Sequence, residues 1–178
     1  MSDQDCGARA GGDIIFRVAD GAAILQLNRP AKRNALSQAM WEAICAALAE
    51  AADRPDVRAF VFTGLPGVFC AGADLTALKS GDREAAARYR EISLRGYAAV
   101  RDFSLPTVTR LVELMGSGRA SHLLFTAGRI DAARAAETGL VDILTEDLDA
   151  ELADFLDALR AADMPTLLAI RDTIRQVR

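Results

Sequence analysis

The chain has 178 residues, of which 51% are hydrophobic, 26% charged and 6% aromatic. A chain of that size buries roughly 70% of its unfolded surface and needs no disulfide or metal staple. Lys and Arg number 21 against 25 Asp and Glu, and the net charge of −4 argues against nucleic acid or an anionic membrane surface as the main partner.

Residues 1–12, rich in glycine and polar groups, are expected to be disordered. Ile14–Val18 and Ala22–Leu27 are two apolar β-type runs split by Asp20-Gly21, a hairpin signal because both turn positions need positive φ. From Ser37 to Ala52 the period changes to that of a helix. Met40, Trp41, Ile44, Leu48 and Ala51 share one face, and Ser37 is placed as its N-cap. Val57–Thr63 reads as a buried strand, and Val68–Leu78 passes from strand or loop into a short helix. Asp82 caps a long helix running to Phe103, with Tyr89, Ile92, Ala99, Val100 and Phe103 inward. Leu105–Thr109 starts as a strand but runs at once into RLVELMGSGRASHLLF, which is helical. Asp131 caps a short helix stopped by Gly139; Leu140–Leu144 reads as a strand. Helices over about Asp149–Ala161 and Pro165–Val177 finish the chain. The pattern is α/β.

Three cysteines (Cys6, Cys45, Cys70) lack CxxC spacing, and His122 is the lone histidine, so neither a metal site nor a His-centred triad is expected. No stretch approaches 18 apolar residues, and the start MSDQDCGARAGGD resembles neither a signal peptide nor an anchor. A cytoplasmic location with no membrane partner is the expectation.

The segment most suggestive of chemistry is Phe69-Cys70-Ala71-Gly72-Ala73-Asp74-Leu75. Small residues after a strand and before a helix start let backbone N–H groups approach a phosphate or a developing oxyanion. The plainer reading is a tight strand-to-helix turn with Asp74 as N-cap. Cys70 near a helix start is a candidate for a lowered pKa, against the plainer alternative of a small buried thiol.

Three stretches, LNRPAKRNALS (Leu27–Ser37), VRAFVFTGLPGVFCAGADL (Val57–Leu75) and TAGRIDAARAAETGLVD (Thr126–Asp142), resemble in order the enoyl-CoA hydratase/isomerase (crotonase) family. The resemblance implies a crotonase-like ββα spiral, here truncated, over 13–125 and a C-terminal helical region over 126–178 used in trimer assembly. It implies an acyl-CoA thioester as substrate, CoA entering as part of that substrate and no separate cofactor. It places the Ala73 N–H as one oxyanion donor to the thioester enolate. Lys32, Arg33, Asn34 and Ala35 fall where the family grips the CoA nucleotide, with Ala71, Gly72, Asp74 and Leu75 beside the thioester. Lys32 and Arg33 suit phosphate, though a solvated loop would carry the same charges. A homo-oligomer is implied.

The resemblance also breaks. Leu105-Pro106-Thr107-Val108 is followed within two residues by a segment that belongs well downstream in the family, so a βαβ unit's worth of chain, about 30 residues or more, is missing. That stretch would carry a Gly-Gly-Gly turn with the second oxyanion donor and the catalytic glutamates. No GGG occurs in the sequence. The C-terminal end also stops short of the family's last long helix. Glu113, Glu84 and Glu91 are the remaining candidate carboxylates, each with a solvated or structural reading beside it. Two functions therefore stand: a fatty-acid or related acyl-CoA enzyme, or a non-catalytic remnant that binds CoA or serves as an interaction subunit.

Overall fold

The computed structural model describes residues 4–65, 68–79, 81–103 and 130–176. They divide into two compact units, one made of 4–103 with 156–176, the other of 130–155. The strand and helix expected over 105–125, with Glu113 and His122, lie outside the described residues.

In the first unit, β2 (Ile14–Ala19) and β3 (Ala22–Leu27) form the predicted antiparallel hairpin, Ala19 opposite Ala22. Asp20 and Gly21 take φ of 51° and 76°, the primed turn whose twist matches the flanking strands. Ile14, Phe16 and Val18 point inward with period two, while β3 is buried along nearly its whole length. A 15-residue helix, α1 (Gln38–Ala52), then crosses the sheet, and β4 (Ala59–Thr63) returns parallel to β3. Ser37 caps α1 by accepting the Met40 N–H, and Met40, Trp41, Ile44, Ala47, Leu48 and Ala51 face the core.

The N-terminal expectation is corrected. Gln4–Arg9 is a strand, β1, antiparallel to β2, with an irregularity in register between Asp5 and Ala8. An edge strand draws on backbone pairing that composition does not report. The Arg9 guanidinium lies 4.4 Å over the Phe16 ring and pairs with Glu50 at 2.6 Å.

After a one-turn helix α2 (Thr76–Lys79), α3 (Arg83–Asp102) begins with Asp82 accepting the Glu84 and Ala85 N–H groups. It packs on α1 at Gly96. A Cβ there would sit 2.3 Å from Cε3 of Trp41, so only glycine lets the helices approach so closely. The Tyr97 ring packs on the same indole at a tilt of 55°, centroids 4.7 Å apart.

The second unit contains α4 (Ala132–Glu137), capped by Asp131 through the Arg134 N–H, and Gly139 ends it with φ of 74°. Leu140–Leu144 is not a strand. The Leu140 and Val141 N–H groups turn back to the Ala135 carbonyl, and Ile143 and Leu144 stand exposed. Four apolar residues supply strand propensity, but among the described residues they pair with no strand. Helix α5 (Leu148–Ala161) is divided between the units. In the first unit Leu156 and Leu159 are buried, Arg58 donates to the Leu159 and Ala162 carbonyls at 3.1 and 2.7 Å, and α6 (Met164–Gln176) follows. Among the described residues no helix is long and apolar enough to cross a membrane.

Candidate functional site

Two loops singled out in the sequence, 28–36 and 68–76, are laced together beside the start of α1. Pro30–Lys32 forms one 3-10 turn, after which Arg33 and Asn34 both take left-handed φ, 49° and 58°. Asparagine tolerates that conformation; arginine adopts it at a cost of roughly 1–2 kcal/mol. Asn34 is only 1% exposed. Its Oδ1 accepts the Arg29 N–H at 2.7 Å, and its Nδ2 donates to the Val68 and Phe69 carbonyls at 3.0 and 2.9 Å. The Ala71 N–H bonds the Arg33 carbonyl, and the Cys70 thiol reaches the Asn34 carbonyl.

The Leu36 N–H donates to Gly72 O at 2.8 Å, and the Asp74 N–H donates to Leu36 O at 3.0 Å, a one-residue parallel bridge between Leu36 and Ala73. Gly72 C=O and Ala73 N–H belong to one trans peptide, in which the two groups point in opposite directions. With Gly72 C=O aimed at Leu36, the Ala73 N–H faces away from the bridge. It meets no acceptor among the described residues, and Ala73 is exposed. Sharing its peptide with an engaged carbonyl also makes it a stronger donor.

Asp74 anchors the far side of the loop. Its carboxylate accepts from Thr76 N–H and Oγ1 at 3.0 and 2.6 Å and pairs with Arg29 Nη1 at 2.6 Å, its side chain 12% exposed. Arg29 reaches on to the Ala35 carbonyl and Asp13. The Thr76 hydroxyl first and the Arg29 guanidinium second hold the Asp74 carboxyl down at about 2, against an ordinary 3.8. Folding therefore favours the charged form. The stabilisation, of order 2 kcal/mol, is whole above about pH 4 and is lost as pH falls through 2. In urea titrations Asp74→Asn is expected to be less stable than the parent at pH 6 and to lose part of the parent's stability decline between pH 4 and 2. Parallel pH profiles for the two proteins would refute it.

Of the expected site residues, Lys32 and Arg33 are exposed, with no ion pair among the described residues. Ala35 is half-buried, Ala71 and Gly72 are exposed, and Leu75 is 46% exposed. Asn34 is the wall of the loop rather than its surface, because its side chain is saturated by backbone partners. For Cys70 the plainer of the two readings holds: burial pushes its thiol up, outweighing the Gly72 N–H. Glu84 is exposed and paired with Arg88, and Glu91 is exposed. A groove of about 360 Å³ runs beside the loop, lined by Ser37, Gln38, Asp74, Thr76, Asp82, Ala85 and Tyr89. Two residues were missed in the sequence: Arg29, and Tyr89, whose buried hydroxyl donates to Leu36 O at 2.8 Å. Arg29 fell within a stretch read for its family resemblance, and the helical stripe hid Tyr89.

With this geometry in view, the chain is compared with known proteins. The model of the family described as enoyl-CoA hydratase/isomerase matches residues 17–112. A probable enoyl-CoA hydratase of Mycobacterium tuberculosis, EchA14, is 37% identical over 95 residues, covering 53% of this chain but only 37% of that protein. The chain thus spans little more than a third of that relative's length. The 2,3-dehydroadipyl-CoA hydratase of Escherichia coli is 29% identical, covering 92% of this chain and 82% of the relative. That alignment runs over 209 residues, so about 45 of its positions have no counterpart in this 178-residue chain. The solved structure of Pseudomonas aeruginosa PA4980 superposes with a TM-score of 0.81 at 25% identity, covering 99% of this chain and 93% of that one. The α/β fold is that of the crotonases, and the chain belongs to the enoyl-CoA hydratase/isomerase family.

Proposed function

We propose that the chain binds an acyl-CoA thioester, with the thioester oxygen accepting the Ala73 N–H and the CoA phosphates held by Lys32 and Arg33. The observation that carries this reading is the exposed Ala73 N–H, which meets no acceptor among the described residues, on the same laced loop pair as the exposed Lys32 and Arg33. In enoyl-thioester chemistry, addition at Cβ or proton loss at Cα moves negative charge onto the thioester oxygen, which is where a fixed N–H donor lowers the barrier. Ala71, Gly72, Asp74 and Leu75 border the thioester in this reading, no cofactor beyond CoA takes part, and the protein works in the cytoplasm. The exposed Phe155, Ile170 and Ile174 on the C-terminal helices support self-association.

A bound crotonyl-CoA carrying ¹³C at its carbonyl reports the donor directly, because a hydrogen-bonded carbonyl stretches at lower frequency. The expected result is a downshift relative to free ligand. An unshifted band with ligand demonstrably bound would remove Ala73 from the site. For the phosphate contacts, calorimetry of Lys32→Ala/Arg33→Ala is expected to show CoA affinity several-fold weaker, the difference shrinking at high salt. Equal affinity would leave the loop as plain surface.

A second reading is favoured by the absent GGG turn and by the roughly 45 unmatched positions: a CoA-binding remnant or interaction subunit without turnover. Binding without hydration separates it from the enzyme.

A further inference from the structure

Resting on the Ala73 reading above, we infer that Tyr89 is a positioning residue for the oxyanion donor, acting from α3 through Leu36. Tyr89 is 3% exposed, and its O–H donates at 2.8 Å to the Leu36 carbonyl, 53 residues away in the chain. That carbonyl accepts a second bond, from the Asp74 N–H at 3.0 Å, so both of its lone pairs are used. The neighbouring Leu36 N–H grips Gly72 O at 2.8 Å, and Gly72 O lies on the same rigid peptide as the Ala73 N–H. Tyr89 thus pins Leu36, Leu36 pins both peptides flanking Ala73, and the donor's direction is set from outside its own loop.

The other supports for this loop act at different points. Asn34 holds the Val68 and Phe69 carbonyls, upstream of the bridge, and Arg29 holds the Asp74 carboxylate and the Ala35 carbonyl, on the peptide before Leu36, whereas Tyr89 holds the Leu36 carbonyl itself. Among the described residues, Tyr89 alone hydrogen-bonds through its side chain to Leu36, the bridging residue opposite Ala73. A buried phenol must find an acceptor somewhere. That it takes a carbonyl already engaged by Asp74, while its ring lines the groove next to the loop, couples the packing of α3 to the aim of one N–H.

Tyr89→Phe keeps the ring and removes the O–H. The ¹³C-carbonyl band of bound crotonyl-CoA is expected to lose at least half of the wild-type downshift. Affinity for the thioester should fall about two- to tenfold, the range for one hydrogen bond, while affinity for free CoA, which lacks the carbonyl, stays unchanged. Amide exchange at Leu36 and Asp74 should quicken in the ligand-free variant, with Ile24 in the sheet unaffected. A wild-type band that does not shift refutes the Ala73 reading itself. A shifted wild-type band with an equal shift in Tyr89→Phe refutes Tyr89 alone, as does an equal loss of thioester and free-CoA affinity. Should Tyr89→Phe not fold, 4-fluorophenylalanine at position 89 restores the shape without the donor. Failure of both to fold makes the hydroxyl a stability element and overturns the proposal.

Discussion

Purified protein is expected to hydrate crotonyl-CoA with kcat below about 10⁻² s⁻¹, far under the ordinary enzyme range of roughly 1–10³ s⁻¹. Loss of one oxyanion donor costs on the order of 10²–10³ in rate. Loss of a positioned acid or base costs roughly 10²–10⁴ more, though the two are not additive. No GGG, the family turn expected to hold the second donor, occurs in the sequence, and Asp74 and Glu84 are committed elsewhere, Asp74 to Arg29 and Thr76, Glu84 to Arg88. One N–H polarises a carbonyl but moves no proton. The measurement is the loss of enoyl-thioester absorbance. Turnover in the ordinary range would overturn the argument and assign the proton transfer to Glu84, Glu91 or Glu113.

The second large effect is on stability. Asn34→Ala is expected to cost roughly 3–5 kcal/mol, measured by urea denaturation. It removes the partner of the Arg29 N–H and of the Val68 and Phe69 carbonyls, three hydrogen bonds each worth about 0.5–1.5 kcal/mol. It also places a Cβ-bearing residue at φ of 58° without the side-chain bonds that justified it. Asn34→Gly separates the two causes: it should recover about 1 kcal/mol of conformational strain and none of the hydrogen-bond loss. A loss under 1 kcal/mol for the alanine variant would mean that the loops hold together without this side chain.

Much of the fold was legible because local rules sufficed. Asp20-Gly21 demands two positive φ angles and forms the turn. Ser37, Asp82 and Asp131 each cap the helix that follows them, since a short side-chain acceptor before an amphipathic run meets backbone N–H groups with no other partner. Where the reading failed, the missing information was non-local. Residues 4–9 become a strand because they pair with β2, and 140–144 pair with no strand among the described residues. At Cys70, where the sequence left two readings open, burial rather than the helix start governs the thiol.

The site divides in the same way. The residue types at Lys32, Arg33 and Ala71–Leu75, and their family resemblance, are properties of the sequence alone, because charge, smallness and motif order survive without coordinates. What each does is a tertiary matter. Asn34 and Ala73 both sit in the marked segments, but one is sealed inside and the other turns its N–H outward. The difference comes from a single bridge between loops 37 residues apart, a separation at which no periodicity or capping rule operates. Tyr89 looks like one more inward residue of a helical stripe, and only the packing of α3 on the loop gives its hydroxyl the Leu36 carbonyl to hold. Sequence sets which groups are available; the long-range hydrogen bonds, formed once the core brings the loops together, decide where those groups point.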